Sequence, residues 1–195
     1  LAKGFKKMPP KRTVLFLAVT AEERGLLGSA YYAERPLYPH AKTVAVINID
    51  SMNMFGKTRD VVAVGLGASE LDDYLVAAAK LQKRTVKPDP EPEKGYYYRS
   101  DHFSFAKKGV PALYAEAGIE YEGRPAEFGK SVRENYVAKD YHQPSDEVRS
   151  DWDLSGALQD IELLFRVGYN VANARTAPNW RPGNEFRAIR DASLK

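Results

Sequence analysis

Glu22 and Glu23 stand side by side just after an apolar run, Thr13 to Thr20, and a second apolar run, Thr43 to Ile49, ends on Asp50. Runs of this kind suit strands buried on both faces. Buried strands that deliver carboxylates to one sheet edge need a compensating cation, because desolvating the charges is otherwise prohibitive. A metal ion supplies that cation, and ligands of open α/β sheets bind beyond the carboxyl ends of the strands. A hydrolytic zinc needs carboxylate and imidazole ligands, an open position for water, and a nearby base that is not itself a ligand. Consecutive glutamates on a turn can divide these jobs, one facing the metal and the other the water. The competing reading is a solvated acidic pair at a helix start, where acids favour the helix dipole.

The chain has three histidines and no cysteine. The lack of cysteine removes disulfides, thiolate ligands and a thiol nucleophile. His40 follows Pro39 between a helix and a strand and reads as a surface residue. His102 lies in Arg99-Ser100-Asp101-His102-Phe103, where Ser100 is expected to cap a short helix through Lys107. His142 lies in Tyr141-His142-Gln143-Pro144-Ser145-Asp146, a loop dense in functional residue types.

The elements that must carry these residues follow from periodicity and breakers. A helix is expected over Leu26 to Glu34, ending before Pro36. Val61 to Val64 and Pro111 to Glu116 read as strands. Glu70 to Arg84 has helical spacing, with Leu71, Leu75, Ala78, Ala79 and Leu81 near one face. Lys87 to Pro92, with every second residue a proline from Pro88, reads as extended loop. Ala117 to Ser150 is polar and glycine-rich and reads as a long loop. Leu154 to Ala174 reads as the longest helix, with Leu154, Leu158, Ile161, Phe165 and Gly168 on one stripe. Residues 176–195 read as an extended tail after a catalytic-domain portion over 1–175. Strands alternating with helices imply an α/β sandwich around a mostly parallel sheet.

Four segments in this order resemble one family. Thr20-Ala21-Glu22-Glu23-Arg24-Gly25-Leu26-Leu27-Gly28-Ser29 resembles the Glu-Glu turn of the co-catalytic zinc exopeptidases. That family includes bacterial and yeast aminopeptidases, glutamate carboxypeptidase and glutaminyl cyclases. Asn48-Ile49-Asp50, then Arg99 to Phe103 followed by Gly109-Val110-Pro111-Ala112, and then Tyr141 to Asp146 match its later segments. The resemblance covers roughly residues 5 to 175. It implies a three-layer α/β sandwich of the phosphorylase/hydrolase kind, with a mostly parallel mixed central sheet flanked by helices. It implies two zinc ions, with Glu23 and His142 on one and Asp50 on the other. Glu22 is then the general base, Tyr141 a donor to the oxyanion, and Arg99 and Asp101 contacts to substrate or to the ligands. His102 is structural. The implied reaction is hydrolysis of peptides from their N-terminus, with glutaminyl cyclisation, carboxypeptidase action or a metal-free binding module as alternatives. Tyr96-Tyr97-Tyr98 and the segment from Ile119 to Asp140 are expected to shape the substrate pocket.

The same resemblance implies a further His and a bridging Asp before the Glu-Glu turn, yet residues 1 to 21 contain neither type. The chain is therefore expected to hold three of the ligands at most, and to lack an early strand or two of the sheet. A formal net charge of +3 without a basic stripe does not point to nucleic acid. No apolar run approaches the roughly 18 residues of a membrane span. A secreted or periplasmic location is expected from the family alone.

Overall fold

Val61 and Ala63 point to one side of a sheet and Val62 and Val64 to the other, and all are buried. Such two-sided burial marks an interior strand. The computed structural model describes residues 1–195. Its helices are α1 (Ala2–Lys7), α2 (Leu27–Glu34), α3 (Leu71–Leu81), α4 (His102–Ala106), α5 (Phe128–Lys139), α6 (Ser155–Asn173) and α7 (Arg187–Ser193). Its strands are β1 (Val46–Asn48), β2 (Asp60–Val64), β3 (Thr85–Pro88) and β4 (Ala112–Ala117), in the order β1-β4-β2-β3. β1 runs parallel to β4 and β2 parallel to β3, whereas β2 and β4 are antiparallel. No helix is long and apolar enough to cross a membrane.

Helices cover both sheet faces, as the three-layer expectation requires. On one face Val61, Ala63 and Leu113 pack against Leu71, Leu75 and Ala78 of α3 and Leu163, Val167 and Val171 of α6. On the other, Ala112 joins Ala106 of α4 with Trp180 and Phe186, and Tyr114 joins Val62 and Val64 under Tyr96 and Tyr97. Because β1 and β4 are parallel, with Asn48 opposite Tyr114, their carboxyl ends emerge at one edge. That edge carries Asp50 and Glu116.

Several sequence expectations are corrected. Thr13 to Thr20 is not a central strand: Leu15, Phe16 and Leu17 are 47, 51 and 41% exposed, and no ladder bonds reach them. A strand has no internal hydrogen bonds, so a β-prone run stays irregular unless a neighbour supplies them. The segment is instead held at its ends. Arg12 donates to the carbonyls of Val171 and Ala174 at 3.1 and 2.6 Å, and the Gly28 amide donates to Thr20 at 2.9 Å. Thr43 to Ile49 contracts to β1, an edge strand that is only half-buried.

The proline-rich stretch hides β3, which pairs Pro88 with Ala63 at the sheet border, where an edge proline is tolerated. The expected loop from Ala117 to Ser150 contains α5, whose only buried residue is Gly129, so it has no apolar stripe to betray it. Along α6 the buried stripe is Leu163, Leu164, Val167 and Val171, while Leu154 and Leu158 are exposed. Residues 176–195 are not an extended tail: Trp180 is fully buried, Phe186 nearly so, and α7 follows.

Candidate active site

Glu22 and Glu23 sit on a 3-10 turn, Glu22–Arg24, between left-handed residues. Ala21 (φ 57°, ψ 41°) precedes it, Gly25 (φ 96°) ends it, and Leu26 (φ 60°) follows. A left-handed non-glycine residue costs about 1 kcal/mol or more, and such strain gathers where the fold over-determines a site. The fastening is visible. Gly28 lies so close to Thr20 that an added Cβ would meet the Thr20 amide nitrogen at 2.5 Å. Ser29 of α2 bonds Ser104 of α4 through their buried hydroxyls at 3.0 Å. The turn is thereby tied to the helix that follows Asp101.

His142 is also left-handed (φ 60°). Its Nε2 lies 2.7 Å from Glu23 Oε1, and the Tyr141 ring stacks on the imidazole at a centroid distance of 3.8 Å. Two residues 119 positions apart in the chain are thus brought into contact. Both are half-exposed, with side-chain exposures of 48 and 63% for His142 and Glu23, so their pair faces solvent.

Asp50 is held separately. Ser100 Oγ donates to Asp50 Oδ2 at 2.9 Å, and Asn48 Nδ2 donates to Ser100 Oγ at 2.7 Å. Ser100 was expected to cap α4, but no side-chain cap forms there, and its hydroxyl orients the carboxylate instead. The Tyr114 hydroxyl donates to Glu116 Oε1 at 2.7 Å and lies 3.5 Å from Asp50 Oδ2. Burial first, then the Glu116 charge, drives the Tyr114 pKa far up, so it remains a donor. Ser100, Asn48, Tyr114 and Glu116 were not singled out as site residues in the sequence. Asn48 and Ser100 did fall within the family-like segments, which is the only signal they gave.

The electrostatics join the two halves. Partial burial raises the Glu22 pKa, and the charges of Glu23, Asp50 and Asp101 add to it, while His142 opposes. The Tyr141 phenol is raised by burial and by Glu23, Asp50 and Glu22, with Arg99 opposing. The charges of Glu23, Asp50, Asp101, His142 and Arg99 thus each reach Glu22 or Tyr141. Asp101 Oδ1 is buried with no hydrogen-bond partner. His102 is wholly buried between Tyr97 and Tyr114, at centroid distances of 4.9 and 5.1 Å, with neither ring nitrogen bonded. Desolvation pushes its pKa down to about 4.

His142 Nε2 and Glu23 Oε1, 2.7 Å apart, are in direct polar contact, and both are donor types that a hydrolytic zinc uses. Asp50 offers a third donor, but no group of three metal-binding side chains converges.

A model of peptidase family M28 matches residues 1–165. The chain belongs to that family. Among solved structures, the LapA aminopeptidase of Legionella pneumophila is similar in fold: TM-score 0.54, 16% identity, covering 81% of this chain and 38% of that one. An aminopeptidase from Aneurinibacillus sp. strain AM-1 gives a TM-score of 0.49 and 19% identity, covering 85% of this chain and 33% of that one. The chain therefore spans less than two fifths of the length of either. No curated protein sequence matches it. Membership supports a peptide hydrolase on this α/β fold.

Proposed function

We propose that this chain carries the general base and part of the metal site of a zinc-dependent aminopeptidase. The observation that supports it is a proton-attracting Glu22 beside the Glu23–His142 donor pair. Glu23 and His142 would hold one zinc and Asp50 a second, and bound zinc supplies acidity to a water and polarises the peptide carbonyl. Glu22, left unbonded to either, takes the proton of that water and hands it to the leaving amine. Its raised pKa suits both halves of that transfer, since a base works best near the operating pH. Tyr141, whose pKa is raised by burial and then by the acids around it, donates to the oxygen that gains charge. Ser100 holds Asp50 in a fixed orientation. Removal of residues from a free N-terminus is the aminopeptidase part of this reading.

The test is Glu22→Gln in the zinc-loaded enzyme, assayed on peptides with free and acetylated N-termini. Turnover falls by about 10²–10⁴ while bound zinc, measured by elemental analysis, is unchanged. Turnover near wild type would remove Glu22 from the mechanism. Equal cleavage of acetylated peptides would remove the aminopeptidase part.

A further inference from the structure

Residues 13–19 lie between two fastened ends, and no hydrogen bond reaches their backbone. Arg12 ties one end to the last turn of α6, and Thr20 accepts from the Gly28 amide at the other. The run is β-prone, holds no proline and has no positive φ. An open row of amides and carbonyls on such a segment is a template for another strand.

The side chains indicate which strand fits. Leu15, Phe16 and Leu17 are about half exposed, and Leu-Phe-Leu reads the same in both directions. Directly opposed residues of an antiparallel pair point to one face, so a two-fold pair of identical strands must centre on a residue. The unbonded stretch 13–19 is itself centred on Phe16. With Phe16 opposite Phe16, Leu15 of each copy meets Leu17 of the other, and Val14 meets Ala18. Each exposed apolar side chain then has an apolar partner across the strands. Centring on Leu17 instead would set Thr13 opposite Ala21, whose left-handed backbone has already left any ladder.

Charge fixes the direction. Lys3, Lys6, Lys7, Lys11 and Arg12 precede the run with no acid among them, and Glu22 and Glu23 follow it. Antiparallel strands set the basic end of one copy beside the acidic turn of the other, whereas parallel strands set like on like. We propose that a second copy of this chain covers residues 13–19, the two runs forming a two-fold symmetric antiparallel ladder centred on Phe16. This interface stands apart from the peptidase reading and does not depend on it.

Sedimentation velocity of the full chain over a concentration series tests it. A dimer that dissociates on dilution is expected. Leu17→Lys buries an ammonium against Leu15 twice in each dimer and weakens it by about tenfold or more, with the circular dichroism unchanged. Hydrogen exchange shows alternate amides between Thr13 and Val19 gaining protection as the dimer fills. The register is read by disulfide formation in oxidised glutathione, since the chain has no cysteine of its own. Phe16→Cys cross-links far faster than Thr13→Cys, whose two thiols lie six residues, about 20 Å, apart along the ladder. Leu15→Cys mixed with Leu17→Cys serves if Phe16→Cys does not fold. A monomer at every concentration overturns the interface, whether the amides of 13–19 exchange freely or another part of the chain protects them. A dimer that Leu17→Lys leaves intact, or one that cross-links as fast through Thr13→Cys, overturns it as well.

Discussion

Ser100 is buried, and its hydroxyl bridges Asn48 to Asp50. Replacing it with alanine strands the Asn48 amide and frees the Asp50 carboxylate to turn. Residues that orient metal ligands in this way change affinity or activity by about 10–100-fold. Ser100→Ala is expected to lower zinc affinity at Asp50 by that order, read by competition with a chelator, while the far-ultraviolet spectrum is unchanged. His102 carries a second consequence. Its pKa is about 4 in the fold and about 6.5 in an unfolded chain, so the unfolded chain binds the proton more readily between those values. Its contribution to stability is whole above about pH 6.5 and is lost as pH falls toward 4. Between pH 7 and pH 5 the loss is about 2 kcal/mol. Urea midpoints at the two pH values measure it, and His102→Phe removes that part of the dependence.

At the scale of elements, the Glu22–Arg24 turn and α2 act as one unit because Gly28 lets the helix start press on Thr20. A Cβ there meets backbone at 2.5 and 2.6 Å, which no rotamer change relieves. Gly28→Ala is expected to destabilise by about 1–3 kcal/mol and to reduce turnover by displacing Glu22. Denaturant midpoints with matched kinetics test both. Gly25→Ala is the contrast, since it meets no atom within 4 Å and bears only the strain of its positive φ. The α2 turn was legible because Pro36 and Gly25 punctuate it. α5 was not, because a helix lying almost wholly on the surface needs no apolar stripe. β3 was masked by its prolines, which an edge strand can carry and an interior strand cannot.

For the molecule as a whole, the C-terminal segment closes one face of the sheet. Trp180 is fully buried, donates to the Gly109 carbonyl at 2.9 Å and packs on Phe186 at 5.2 Å. Trp180→Ala is expected to cost about 3–5 kcal/mol, measured by urea unfolding, and to open residues 176–195 to proteolysis. A loss below about 1 kcal/mol would make that segment a dispensable appendage. The opposite situation holds at Thr13 to Thr20, where Leu15, Phe16 and Leu17 expose apolar surface because no strand pairs with them.

The sequence by itself determined the residue types of the candidate site, their order along the chain and the interior strand at Val61–Val64. These are local or compositional facts: a buried β-run, an acid pair at a turn, a histidine beside a tyrosine. Its four family-like segments also pointed to the family whose model matches residues 1–165. Only the tertiary structure decided which groups meet. Contact between Glu23 and His142 and the hold of Ser100 on Asp50 both join residues distant in sequence. The same holds for Thr13 to Thr20. Strand propensity is a property of residues, but a strand exists only where another strand offers its hydrogen bonds.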